Sequence, residues 1–138
     1  MPSMARRTST GRDLGSWMAL RSCRKSFIQA LIEVAMNRIE ILKGFLEENA
    51  KDSFSRYALA LEYVKLGQNE DAVREFEAVK KNDPDYVPTY FQLGQLYQKI
   101  GRIHEAEKTF RTGMTVAAKM GDEHTRSELE AALEALLL

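Results

Sequence analysis

The chain has one cysteine, one tryptophan, two histidines and no net charge across its 138 residues, and each shortage excludes something. With Cys23 alone, neither an intrachain disulfide nor a thiolate zinc cluster can form, a usage that fits a reducing compartment such as the cytoplasm. His104 and His124 form no H-E-x-x-H pair, and they read as solvated helix-surface residues. There is no Walker loop, no G-x-S-x-G elbow and no acidic pair set apart from the general scatter of charge. Without such a constellation the expectation is a noncatalytic protein that needs no metal and no cofactor. No apolar run approaches the roughly eighteen residues of a membrane span, since FIQALIEVAM is short and interrupted by Gln29 and Glu33. The apolar stretch after the first arginines is broken by Arg21 ahead of any small-residue cleavage site, which argues against a secretory signal.

What is present is enough apolar content, 44%, for one modest core, and a charge division hidden by the zero total. Six of the 20 basic residues (Arg6, Arg7, Arg12, Arg21, Arg24, Lys25) but only Asp13 and Glu33 of the 20 acidic ones fall in residues 1–35. That leaves 14 basic against 18 acidic in the rest, so a +4 arm precedes a −4 body. Sliding the chain against itself by 34 positions then superposes Leu59 on Leu93, Tyr63 on Tyr97, Lys65 on Lys99, Gly67 on Gly101, Ala72 on Ala106 and Phe76 on Phe110. Leu59, Ala60 and Tyr63 lie along one helical face, with a small residue where another backbone must come close. Gly67 and Gly101 stop that helix, Ala72 and Phe76 stack on the next, and Asn82, Asp83 and Pro84 end it.

These positions make the sequence resemble the tetratricopeptide repeat family, in particular its small bacterial-type members. The family pattern is met by Tyr90, Leu93, Gly94, Tyr97, Ala106 and Phe110, and one unit earlier by Leu59, Ala60, Tyr63, Ala72, Phe76 and Pro84. Arg56 stands where an aromatic is usual, and Ala118 where a second proline is usual. The resemblance implies an all-α fold, a right-handed α-solenoid of antiparallel helix pairs. Repeats at about 53–86 and 87–120 are expected, with a flanking half-repeat before them and a capping helix over 122–136 whose N-cap is Asp122. Six helices follow, at about Asn37 to Glu48, Phe54 to Leu66, Glu70 to Lys81, Val87 to Ile100, Ile103 to Ala118 and Asp122 to Leu136.

By the same resemblance the function is protein–protein interaction, with a peptide or partner helix held in the concave groove, in a scaffold or adaptor role. The groove positions would be Phe54, Tyr57, Leu61, Val64 and Lys65 in the first unit, and Pro88, Phe91, Gln95, Gln98 and Lys99 in the second. Packing of Phe54, Tyr57 and Leu61 into the core is the competing reading, closest for Phe54. Family members that hold acidic chaperone tails use a Lys, Asn and Arg clamp, whereas the corresponding places here carry Tyr57, Leu61, Gln92 and Gln95. A basic, neutral or hydrophobic ligand is therefore expected rather than an acidic one.

Residues 1–35 do not obey the repeat, since the frame puts Lys25 and Ser26 where Leu and a small residue belong. Trp17, Leu20, Phe27, Leu31 and Val34 still recur at near-helical spacing, so an amphipathic helix from about Ser16 to Ala35 is expected. The arm reads as an extension ahead of a natural start at Met36, as an organelle presequence, or as a helix that docks on the groove. Its RRTS could attract a basophilic kinase. Two alternative functions remain: nucleic-acid or membrane-surface association through the arm, with few phosphate contacts available, and self-association as a homodimer.

Overall fold

The computed structural model describes residues 27–138. The arm's arginines, Trp17, Leu20 and the RRTS stretch lie outside the described residues, as does the 16–26 part of the expected arm helix. The chain divides into two units, Met1–Asn37 and Arg38–Leu138. The described part of the first, 27–37, is helical and exposes Phe27, Leu31, Val34 and Met36. The second opens with the last turns of that same helix, α1 (27–48), followed by α2 (Ser53–Lys65), α3 (Asn69–Asn82), α4 (Pro88–Lys99), α5 (Ile103–Met120) and α6 (Glu123–Leu137). Only α1 departs by more than two residues from the expected bounds, beginning well before Asn37. The 34-residue frame puts Glu33 where Gly67 and Gly101 turn the later units, so nothing at that place stops the helix.

The turns form where glycine allows them. Gly67 and Gly101 take φ of 75° and 84°, the left-handed region that side chains with a Cβ avoid. The next amide then reaches back to the last helical turn, Gln68 N to the Tyr63 carbonyl at 2.9 Å and Arg102 N to that of Tyr97 at 2.8 Å. At the other end of each first helix the two units diverge. Asp52 caps α2, accepting from Ser55 N at 3.3 Å and Ser55 Oγ at 2.6 Å. The expected cap at Asp122 of α6 repeats that arrangement with Thr125. In the second repeat Tyr86 stands where Asp52 stands in the first, so Thr89, the counterpart of Ser55, is wholly buried with its hydroxyl unpartnered.

The core is a column of matched contacts. Each helix from α2 to α6 packs on its neighbour in sequence, and α4 also meets α6. Phe76 and Phe110 are wholly buried, each worth roughly 1.5 to 3 kcal/mol of transfer free energy. Phe110 lies against Gly94 so closely that a Cβ there would sit inside its ring. Gly113 admits Tyr90 in the same way, a Cβ there lying 2.5 Å from Tyr90 Cβ and 3.1 Å from Leu129 Cδ1. Leu129 and Leu133 of α6 close the far end of this core.

Arg56, the departure from the aromatic pattern, does the work of its counterpart. Tyr90 donates its hydroxyl to the carbonyl of Pro84, six residues back, at 2.6 Å, and Arg56 donates to the carbonyl of Ala50, also six back, at 2.9 Å. Arg56 adds a 2.9 Å ion pair with Glu75 across the α2–α3 hairpin.

Two substitutions test these contacts. Gly113→Ala should destabilise the fold by about 1 to 3 kcal/mol, the range for overpacking, although alanine favours helix, as a lower urea midpoint would show. Thr89→Val keeps the shape and removes a buried unpaired hydroxyl, so the urea midpoint should rise, by about 1 kcal/mol in stability.

Candidate functional site

The ten positions that the repeat frame sets apart divide between α2 and α4. Helical spacing places Phe54, Tyr57, Leu61, Val64 and Lys65 on the side of α2 opposite Ser55, Leu59 and Glu62, which are buried. Likewise Pro88, Phe91, Gln95, Gln98 and Lys99 lie opposite the buried Thr89, Leu93, Leu96 and Tyr97 of α4. They are not equally free. Phe54 is 68% exposed and Lys65, Pro88, Gln95, Gln98 and Lys99 are exposed as well. Tyr57, Leu61, Val64 and Phe91 are half-buried and packed against the edge of the core.

The two aromatic residues of α2 on this face differ in exposure. Phe54, the stronger candidate for core packing, faces solvent. Tyr57 sets its ring 5.8 Å from Phe76 and edge-on to Tyr86 at 5.5 Å. Burial pushes its hydroxyl pKa up, with Tyr86 adding to the shift, so it remains a neutral phenol at physiological pH. Tyr86 is the residue that sequence reasoning missed. It sits in the turn between the repeats, where no helical period marks it.

Part of the charge on this face is held by local partners. Lys65 pairs at 3.3 Å with Glu62, whose buried carboxylate also meets Arg38 of α1 at 3.6 Å. Just past the lysine end of α4, Arg102 lays its guanidinium 4.8 Å over the Tyr97 ring. Tyr97 donates to Glu77 at 2.6 Å, and burial together with that bond raises its pKa. Near Phe54, Asp83 accepts from Ser53 Oγ at 3.1 Å. Hydrogen bonds from Ser55 hold the Asp52 carboxyl below the usual carboxylate range. Along α2 these positions run from exposed Phe54 past half-buried Tyr57, Leu61 and Val64 to Lys65, and along α4 from Pro88 past half-buried Phe91 to exposed Gln95, Gln98 and Lys99.

Among the described residues, no group of three or more His, Cys, Asp and Glu side chains is placed to hold a metal ion. No helix among them is long and apolar enough to cross a membrane.

Comparison with known proteins agrees with the repeat. The family description "TPR repeat" matches residues 60–101, and "Tetratricopeptide repeat" matches residues 87–120, the whole of the second unit. No curated protein matches the chain. A tetratricopeptide repeat domain protein of Salinibacter ruber is 40% identical in its solution and crystal structures, with TM-scores of 0.60 and 0.59. Each alignment covers 62% of this chain, and 86% or 96% of the other. At 20% identity, PcrH in complex with the chaperone binding region of PopD shares the fold, with a TM-score of 0.70 over 80% of this chain and 84% of that one. The TPR2B domain of yeast Sti1 in complex with pHsp70 does so at 14% identity, with a TM-score of 0.70 over 75% of this chain and 83% of that one. With its helix pairs, its glycine turns and a 40% identical relative covered over most of its length, the chain belongs to the tetratricopeptide repeat family.

Proposed function

We propose that the protein is an interaction module that binds a peptide or partner helix on the shared face of α2 and α4. The observation that carries this is Phe54, a large aromatic left 68% exposed on a rigid helix at the head of a line of half-buried apolar side chains. Burying one such side chain is worth roughly 1.5 to 3 kcal/mol, and a micromolar complex needs about 8 kcal/mol net. Phe54 with the exposed edges of Tyr57, Leu61 and Phe91 supplies only part of that, so hydrogen bonds to Gln95 and Gln98 and further ligand contacts along the two helices must supply the rest. The fold is compatible with such a ligand, since PcrH and the Sti1 domain, which share it, are each solved with a partner segment.

The ligand would carry an apolar residue for Phe54 and hydrogen-bonding groups for Gln95 and Gln98. Tyr57, Leu61, Gln92 and Gln95 stand where the family's Lys, Asn and Arg clamp for acidic chaperone tails would be, and Lys65 at the end of α2 is already paired with Glu62. A neutral or hydrophobic segment fits this face better than an acidic one. An adaptor role follows if the partner is itself part of an assembly.

The test uses a photo-crosslinking amino acid placed at Phe54, at Gln95 and, as control, at Arg74 on α3, followed by calorimetry with the purified crosslinked partner. Phe54→Ala combined with Gln95→Ala should weaken binding at least tenfold and leave the melting temperature unchanged. Tyr57→Ala should instead lower stability by about 2 to 4 kcal/mol, because its ring packs against Phe76 and Tyr86. Full affinity in the double variant, or equal crosslinking from Arg74, would reject this face.

A further inference from the structure

The start of α2 and the turn before α4 are locked together and hold two carboxylates among aromatic rings. Tyr86 N donates to the Asp83 carbonyl at 3.1 Å, which closes the turn. From that turn Asp83 accepts from Ser53 Oγ at 3.1 Å, and the Tyr86 ring meets that of Tyr57 at 5.5 Å. Asp52, the residue before Ser53, caps the helix, and Phe54, the residue after it, is exposed. Burial raises the Tyr86 hydroxyl pKa, and Asp83 and Asp52 raise it further, so both carboxylates act on one phenol. Each has acceptor capacity left. An ionised carboxylate offers about four acceptor sites, of which Ser55 fills two on Asp52 and Ser53 one on Asp83. Lys51 and Lys81 are near in sequence, yet no lysine or arginine among the described residues forms an ion pair with either carboxylate.

The chain itself shows what completes such a set. Beyond the end of α4, Arg102 lies 4.8 Å over the Tyr97 ring and donates to Glu105 at 2.9 Å, while the Tyr97 hydroxyl bonds Glu77. At the start of α2 the rings and the carboxylates are in place, and a guanidinium is the member still to be supplied. We propose that the segment held on the α2–α4 face carries a basic residue, arginine above all, beside the apolar residue that covers Phe54, with its charge set against Asp52 and Asp83. This rests on the reading of that face as the binding surface and adds the chemistry of its ligand. Arginine suits the place better than lysine, because its planar fork lies on an aromatic ring while donating to carboxylates at its edge. Lys65 and Lys99 stand at the far ends of α2 and α4 and disfavour a cation there, which gives the bound segment a direction.

A random peptide library displayed on phage is selected on the full chain, and the tightest peptide is resynthesised with citrulline for arginine or acetyl-lysine for lysine. Selected peptides should share a basic residue next to an apolar one. Asp52→Asn with Asp83→Asn keeps an acceptor for Ser55 and for Ser53 while removing both charges, so helical circular dichroism and a cooperative melt should persist. In calorimetry that variant should bind the basic peptide about tenfold more weakly, the worth of one charge-assisted bond, and the uncharged peptide as the parent chain does. Removing two charges elsewhere, with Glu130→Gln and Glu134→Gln on α6, should change neither affinity. Peptides that need Phe54 but carry no basic residue, or that bind the Asn variant as tightly, overturn the inference and leave the face as the binding surface. An equal loss in the Gln variant assigns the effect to overall acidity and overturns it too. Peptides indifferent to Phe54→Ala, or a library that yields no binder, overturn both readings.

Discussion

Phe110 rests on the bare backbone of Gly94, and the spacing of the helix pairs depends on that contact. A bare backbone at this place lets the two axes approach until a phenyl ring fills the gap, and even a Cβ would force the ring to move. The first unit uses Ala60 and Phe76 in the same positions, both fully buried. Because a small-to-large pair recurs 34 residues on, with Ala60 in one unit and Gly94 in the other, side chains on the opposite face recur at the same helical positions. The face carrying Phe54 and Gln95 is regular because the core behind it is.

Much of this was legible in the sequence because the same physics acts twice. Small residues at close contacts, glycines at left-handed turns and the Asp122 cap each leave a mark that recurs or follows a local rule. Three features escaped for different reasons. The continuity of the expected arm helix with α1 was missed because a helix ends only where something stops it, and nothing between Glu33 and Asn37 does. Tyr86 was missed because it lies in a turn, outside any helical period, yet its ring decides that Tyr57 leans on the core. Phe54 and Tyr57 share one helical face, so spacing could not rank their exposure; the ring partners available to each did. For the candidate site, the face is put forward from the sequence, and the structure distinguishes its exposed side chains from those packed on the core.

Departures from the repeat are informative when read in pairs. Arg56 breaks the aromatic pattern and still reaches the carbonyl six residues back, so the constraint at that place is a long donor rather than an aromatic ring. Tyr86 gains an aromatic partner for Tyr57 and forgoes the cap that Asp52 supplies, leaving the Thr89 hydroxyl without a bond. A local hydrogen bond in one unit is exchanged for a packing contact between units in the other. Such exchanges cost about as much as they return, which is how near-copies diverge without losing the fold.

The pattern of helix contacts also has a mechanical side. From α2 to α5 each helix leans on its immediate neighbours in sequence, and α4 also reaches past α5 to α6. Tension applied at the N-terminal end would meet a series of small independent barriers, releasing one hairpin after another like links of a chain. At the other end, Leu129 wedged beside Tyr90 and Gly113 ties three helices into a block that must yield together. Under tension the N-terminal hairpins would open before the C-terminal block does.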